Sequence, residues 1–232
     1  SMDGFRYDYL NKANTPNFDL LIQSGVTSKA LVPVFTSKTF PNHYSIATGM
    51  YAENHGLIAN TFYARDLKKS YAIRDRNAVE NGEFYGGEPI WVTAERQGVI
   101  TASYYWVGSE AVIKGRQPTY WKKYDQKLAF EARIDSVVSW LSYPIQRRPR
   151  LALLYFHEPD WTGHSYGPNS PETISQIERM DSVLGNLISK TSNLSISSKL
   201  NIIIVSDHGM TDVYPENIID LSTYTDLSNL NV

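Results

Sequence analysis

The sequence has no cysteine in 232 residues, which excludes disulfides, cysteine zinc sites and thiol nucleophiles. It also lacks an apolar run approaching the roughly 20 residues that cross a bilayer, so no transmembrane segment is predicted. An excess of positive charge is missing too, because 22 Lys+Arg oppose 24 Asp+Glu and the net charge is -2. Unspecific binding of a nucleic-acid duplex is therefore not expected. With 42% hydrophobic and 20% charged residues, the composition is that of a globular protein with a sizeable core.

Regular patterns are missing at both ends of the chain. The first residues, Asp3–Arg6, form a charged turn with no strand before them, and residues 221–232 contain no closing pattern. We therefore expect the chain to be a fragment of a longer one.

Strand and helix patterns alternate in the second half of the chain. Residues 151–156 and 200–205 are apolar runs typical of buried parallel strands, and 171–190 between them has the spacing of an amphipathic helix. Strand, helix and strand in this order predict a βαβ unit and an α/β fold. Further helices are predicted at 17–24, 41–48 and 130–141, while 60–85 is predicted to be an irregular surface excursion.

Acidic residues and histidines follow both predicted strands. Asp160 and His164 come after the first strand, and Asp207 and His208 come after the second. Either pair alone is typical of a cap or a surface position. Ligands collect beyond the carboxyl ends of parallel strands, and carboxylate plus imidazole suits a divalent ion. Two such pairs at one edge, together with Asp3, therefore favour a metal site.

Thr39 stands just before Pro41, at a predicted helix start. A hydroxyl there could be a nucleophile whose oxygen is deprotonated by a metal. Threonine is equally suited to be the N-cap of the helix. The spacing leaves both interpretations open.

Seven motifs in family order resemble the nucleotide pyrophosphatase/phosphodiesterase family of the alkaline phosphatase superfamily. They are Asp3–Arg6, Lys38–Tyr44, Thr48–Gly56, Gly87–Trp91, Arg116–Trp121, Glu158–Pro168 and Ser206–Met210. The resemblance covers nearly the whole chain and implies a central, mostly parallel sheet with helices on both faces. It also implies that 1–232 is a single phosphodiesterase catalytic domain, cut at one or both ends.

The resemblance implies two Zn²⁺ ions. One would be bound by Asp3, Thr39, Asp207 and His208, and the other by Asp160, His164 and a third histidine. The family supplies that histidine far downstream, and no residue of this sequence matches it. We therefore expect the second site to be incomplete in this chain, with truncation as the favoured explanation.

The resemblance also implies roles for the substrate-facing residues. Thr39 would attack phosphorus and form a phospho-threonine that water hydrolyses. Asn60 matches an amide that donates to a phosphate oxygen, although a turn asparagine is the alternative. Five residues would form the substrate pocket, with the first two sandwiching a nucleobase: Phe40, Tyr124, Tyr155, Trp106 and Glu110.

The expected activity is zinc-dependent hydrolysis of nucleotide phosphodiester or pyrophosphate bonds, releasing a nucleoside monophosphate. Two alternatives stay open: a choline-lipid phosphodiesterase or phosphomonoesterase with the same metal core, and a non-catalytic binding module. Family members act outside the cytoplasm, so a periplasmic or secreted location is expected. The absence of cysteine favours a bacterial source, because animal relatives are usually rich in disulfides.

Overall fold

The computed structural model describes residues 1–228, in which helices and short strands alternate. The helices are α1 Pro16–Ser24, α2 Thr39–Thr48, α3 Ala52–His55, α4 Arg76–Glu80, α5 Ile90–Arg96, α6 Phe130–Leu141, α7 Asp160–Tyr166 and α8 Pro171–Ser192. The strands are β1 Thr61–Ala64, β2 Lys69–Ala72, β3 Thr101–Tyr104, β4 Tyr120–Lys122 and β5 Leu151–Leu154.

A parallel sheet of three strands in the order β4-β3-β5 lies at the centre of the fold. Alternate side chains of a strand point to opposite faces. Ala102 and Tyr104 pack with Trp140 of α6, while Leu153 packs against a cluster that includes Trp91 of α5. Helices therefore cover both faces of the sheet, which confirms the predicted α/β class.

Helix α8 follows its sequence signals closely. Ser170 accepts a hydrogen bond from the Thr173 amide at 3.1 Å and caps the helix, and Pro171 occupies the first turn. The buried stripe includes Ile177, Met180 and Leu184, at the predicted spacing. None of the helices within residues 1–228, α8 included, is long and apolar enough to cross a bilayer.

The prediction of a strand at 200–205 is wrong. Residues 201–204 are exposed, with Ile203 at 83%, and no ladder forms there. The backbone beside this segment belongs to Ser1 and Met2, and the Met2 amide donates to the Val205 carbonyl at 3.1 Å. A strand needs a row of backbone partners, and one such bond does not make a ladder. The predicted βαβ unit is therefore represented by β5 and α8 alone.

The prediction of an irregular excursion at 60–85 is also wrong. β1 and β2 form an antiparallel hairpin in which Phe62 pairs with Tyr71, and α4 follows it. Tyr71 is fully buried, and its hydroxyl lies 2.9 Å from that of Tyr85. Aromatic packing of this kind stabilises a hairpin that polar composition had concealed.

Asp181 of α8 caps α1 from a distance. Its carboxylate accepts hydrogen bonds from the Asn17 amide (3.0 Å), the Asn17 side chain (2.7 Å) and the Phe18 amide (2.9 Å).

We expect Asp181→Ala to lower the free energy of unfolding by about 1–3 kcal/mol, because these donors lose their acceptor. Denaturant unfolding measures the loss. Asp135→Ala is the control, since Asp135 is an exposed partner of Lys190. Equal losses in the two variants would contradict the capping role.

Candidate active site

Residues 1–3 lie between two ligand-bearing segments. The Asp3 amide donates to the Phe156 carbonyl at 2.9 Å, just past β5, while the Met2 amide donates to Val205 on the opposite side. These backbone bonds place Asp3 between the turn that leads to Asp160 and the turn that holds Asp207. The chain start and two distant loops therefore meet at the end of the sheet.

Gly4 allows the closest approach of these loops. Its φ of +65° lies in the left-handed region, and a Cβ built there would be 2.9 Å from the Cβ of Asp160. The Asp160 amide also donates to the Asp3 carbonyl at 3.1 Å. A side chain at position 4 would push Asp160 away, which explains the glycine after Asp3.

The turn at 206–209 is held by side chains as well as backbone. Asp207 Oδ1 accepts from the Gly4 amide at 3.2 Å, and the Ser206 hydroxyl accepts from the Phe5 amide at 2.9 Å. His208 Nδ1 lies 2.8 Å from the Gly209 carbonyl, which requires Nδ1 to carry the proton. The lone pair of a neutral His208 ring is therefore on Nε2, the atom that faces the carboxylates.

Three carboxylate oxygens surround His208 Nε2. Asp207 Oδ2 lies at 3.2 Å, Asp3 Oδ1 at 3.3 Å and Asp160 Oδ1 at 4.0 Å. All three oxygens are buried and have no hydrogen-bond partner within residues 1–228. Unpaired buried carboxylate oxygens are rare because their desolvation is costly. Three of them beside an imidazole lone pair fit a divalent cation such as zinc.

Electrostatics supports this interpretation. Burial, with the neighbouring carboxylates of Asp207 and Asp160, raises the pKa of Asp3 well above its usual range. The Tyr155 hydroxyl opposes that shift by donating to Asp3 Oδ2 at 2.6 Å. Burial also raises the pKa of Asp160. The metal-free cluster thus disfavours its own negative charge, and a bound cation would compensate it.

Thr39 is the first residue of α2, which begins two residues before the predicted start at Pro41. Its Oγ1 makes no capping bond within residues 1–228 and lies 3.4 Å from His208 Nε2. Asn42 fixes the preceding backbone by accepting from Val34 N (2.7 Å) and donating to Thr36 O (3.0 Å). The hydroxyl therefore faces the carboxylate cluster.

His164 lies at the edge of the cluster. Its side chain is 73% exposed, and Nε2 is 3.4 Å from Asp160 Oδ1. Asp160, in turn, groups with Asp3 and His208 as possible ligands of one ion. The structure therefore brings Asp160 close to Asp3 and His208, which the family resemblance predicts to bind the other zinc ion.

His43 is also a member of the site, although the sequence predicts only a structural role for it. Its Nδ1 lies 2.9 Å from the Thr39 carbonyl and 3.4 Å from Asp207 Oδ2. With Asp3 and Asp207, this buried ring forms a second group that could hold an ion. Burial lowers the pKa of His43, which keeps the ring neutral. The sequence spacing could have indicated this, because residues four apart, such as 39 and 43, lie on the same face of a helix.

Asn60 is oriented by α2. Its Oδ1 accepts from the Phe40 amide at 3.1 Å, which identifies the other amide atom as nitrogen. No hydrogen bond within residues 1–228 uses that Nδ2 group. Asn60 therefore retains two N–H donors beside the start of α2.

The two aromatic residues predicted to sandwich a base have different neighbours. Phe40 packs against Tyr71 of the hairpin, with ring centroids 6.2 Å apart. Tyr124 contacts Tyr105 at 5.0 Å and lines a surface depression of about 670 Å³ together with Trp161. The rings of Phe40 and Tyr124 do not contact each other within the described chain.

The other three predicted pocket residues are buried and make internal hydrogen bonds. Trp106 donates its indole N–H to the His43 carbonyl at 3.1 Å, and Tyr155 donates to Asp3 as described. Glu110 accepts from the Tyr124 amide at 3.1 Å and pairs with Arg76. The structure thus places all three behind the site, where they hold α2, Asp3 and Tyr124.

A parallel sheet with carboxylates and imidazoles gathered beyond its strand ends is the arrangement of the alkaline phosphatase superfamily. Residues 1–232 match the family model described as type I phosphodiesterase / nucleotide pyrophosphatase, and the chain belongs to this family.

Similar proteins are found among both curated sequences and solved structures. Human ectonucleotide pyrophosphatase/phosphodiesterase family member 1 is 41% identical over 100% of this chain and 25% of its own length. Venom phosphodiesterase CdcPDE of Crotalus durissus collilineatus is 40% identical over 97% of this chain and 27% of its own. Murine ectonucleotide pyrophosphatase/phosphodiesterase 5, as an inactive threonine-to-alanine variant with AMP, has a TM-score of 0.91 and 36% identity. That comparison covers 97% of this chain and 60% of the murine one.

The chain therefore spans about a quarter of the length of these curated relatives.

Zinc should stabilise the folded protein in a manner that depends on Asp3. At free zinc about 100 times Kd, we expect the Tm to rise by about 5–10 °C, and a chelator to reverse the rise. Asp3→Asn should remove most of the shift, whereas Asp66→Asn, an exposed hairpin residue, should keep it. A shift of equal size in Asp3→Asn would contradict this ligand assignment.

The increase in Tm caused by zinc should become larger as the pH rises. Because the pKa of Asp3 is raised in the fold, bound protons stabilise the metal-free protein at low pH. This contribution is lost as pH rises through the raised pKa. Zinc competes with those protons, so the Tm increment should be small at about pH 5 and larger at about pH 8. Thermal unfolding with and without zinc across this range measures the trend.

Proposed function

We propose that the protein carries out zinc-dependent hydrolysis of nucleotide phosphodiester or pyrophosphate bonds and releases a nucleoside monophosphate. The observation that carries the proposal is the convergence of three unpaired carboxylate oxygens, His208 Nε2 and the Thr39 hydroxyl at one point. The relatives' names support it, since they are called nucleotide pyrophosphatases and phosphodiesterases.

Thr39 is proposed as the nucleophile. Its oxygen attacks phosphorus, the bond to the leaving oxygen breaks, and the resulting phospho-threonine is hydrolysed by water. Its place at the first position of α2 favours negative charge on the oxygen. The inactive threonine-to-alanine variant of the murine neighbour is consistent with this role.

The metal ligands are proposed to be Asp3, Thr39, Asp207 and His208 for one zinc, and Asp160 and His164 for the other. When bound, such ions lower the pKa of a coordinated hydroxyl and neutralise charge on the phosphate and the leaving oxygen. The chain orients these ligands through the Tyr155–Asp3, Gly4–Asp207 and His208–Gly209 hydrogen bonds.

Asn60 is proposed to stabilise the pentavalent transition state. The Phe40 amide holds its Oδ1, so the Nδ2 donors are already oriented when negative charge develops on the phosphate oxygens. A preorganised donor of this kind contributes about 3–4 kcal/mol in other enzymes.

Phe40 and Tyr124 are proposed to bind the base, with Trp106, Glu110 and Tyr155 supporting the pocket. AMP in the murine neighbour makes a nucleotide the favoured substrate over a choline lipid. We further propose an extracytoplasmic location, consistent with relatives named as ectoenzymes and venom proteins. A bacterial source and a single catalytic domain over 1–232 stay predictions.

Thr39→Ala should abolish phosphodiesterase turnover while zinc still binds, because Asp3, Asp207 and His208 remain. Hydrolysis of bis-p-nitrophenyl phosphate and metal content, measured on the same zinc-loaded sample of the full-length protein, test the role directly. Thr36→Ala is the matched control, since its hydroxyl bonds the Ile58 carbonyl outside the site. Substantial activity in the Thr39 variant would mean that water makes the first attack.

Phe40→Ala should raise KM for p-nitrophenyl thymidine monophosphate far more than for bis-p-nitrophenyl phosphate. Stacking of one base contributes about 1–3 kcal/mol, whereas Thr39 and the metal ligands are unchanged. Steady-state kinetics on both substrates give the ratio. Equal losses would show that Phe40 positions Thr39, and they would favour the lipid diesterase alternative.

A further inference from the structure

Arg133 of α6 is a buried cation without an acidic partner. It is fully buried, yet no carboxylate within residues 1–228 forms an ion pair with it. Burying an arginine in this way is costly unless its donors are satisfied by other groups. Its hydrogen bonds therefore indicate what the residue does.

Within residues 1–228, all hydrogen bonds from the guanidinium to oxygen go to backbone carbonyls, and Nη2 also lies 3.5 Å from His157 Nδ1. Nε and Nη2 donate to Leu128 O at 3.2 and 3.1 Å, Nη2 to Gln126 O at 3.3 Å, and Nη1 to Tyr155 O at 3.2 Å. The segment between β4 and α6 has no ladder to satisfy these carbonyls. Arg133 thus connects the loop that directly follows Tyr124 to Tyr155, just past the end of β5.

Aromatic contacts extend the same link. The guanidinium carbon lies 4.9 Å from the ring centres of Tyr105 and Phe130. Tyr105 in turn packs on Tyr124 at 5.0 Å. The planar guanidinium group of arginine can donate to three carbonyls and stack on aromatic rings at the same time. Lysine has only a single ammonium group, which cannot stack in this way. The contacts of Arg133 therefore use the planar shape of arginine as well as its charge.

We propose that Arg133 is a positioning residue for nucleotide selectivity, acting through Tyr124. It holds the 124–128 loop against the strand end that carries Tyr155, and so fixes the orientation of the Tyr124 ring toward a bound base. The inference rests on the proposed nucleotide function, because the base is what Tyr124 would contact.

The test compares two probes, AMP and inorganic phosphate, by calorimetric titration of the zinc-loaded, full-length protein. In Arg133→Lys, we expect the preference for AMP over phosphate to fall about tenfold, the size of a lost stacking contact. Asp181→Ala is the control: its capping role is structural and lies on α1, so it should lower Tm without changing the preference.

A double-mutant cycle separates positioning from general stability. In a Tyr124→Ala background, Arg133→Lys should change the AMP preference by less than about twofold, because the residue through which it acts is gone. Arg133→Lys that lowers Tm yet keeps the full preference would overturn the inference, as would equal effects with and without Tyr124.

The outcomes also distinguish this inference from the function on which it rests. A wild-type protein that binds AMP no better than phosphate contradicts the nucleotide assignment itself. A wild-type protein that prefers AMP, with the preference unchanged in Arg133→Lys, contradicts the role of Arg133 alone.

Discussion

Repulsion among three carboxylates is the constraint on which the site depends. Within residues 1–228, three buried carboxylate oxygens without hydrogen-bond partners lie around His208 Nε2, one each from Asp3, Asp160 and Asp207. Like charges repel strongly in such a buried environment. The surrounding backbone bonds keep the three carboxylates there, and no lysine or arginine within residues 1–228 forms an ion pair with them. Bringing these carboxylates together opposes folding, and a cation at the proposed site would offset that cost. Local destabilisation of this kind is expected where rigid scaffolds hold functional groups.

The support for this cluster is shared with the proposed substrate site. Tyr155 bonds Asp3 through its hydroxyl and Arg133 through its carbonyl, while Asn60 bonds the first turn of α2. His43 of α2 lies beside Asp207, and Trp106 donates a hydrogen bond to the carbonyl of His43. The proposed nucleophile, the proposed metal ligands and the loop that follows Tyr124 therefore share neighbours. Substitutions among these neighbours should not act additively.

The sequence predicted the parts of the fold whose signals are local. Helix α8 has a cap, a proline and a stripe within its own residues, so its start was predicted correctly. The strand at 200–205 was wrong because its apolar run says nothing about the backbone available beside it. The hairpin was missed because Phe62, Tyr71 and Tyr85 pack together only in three dimensions. In the site, motifs indicated Asp3, Thr39 and His208, whereas the role of Arg133 depends on carbonyls that leave no trace in a sequence.

The Gly4–Asp207 hydrogen bond joins residues 203 positions apart in the chain. Closing so long a loop is entropically unfavourable, so we expect this contact to form after the local helices. A partly folded chain would therefore present isolated aspartates and histidines to a cation, but not the converged set. An ion bound at the proposed site would therefore report completed folding: it would bind chains in which residues 3–4 and 207–208 have already met, and it would slow their separation.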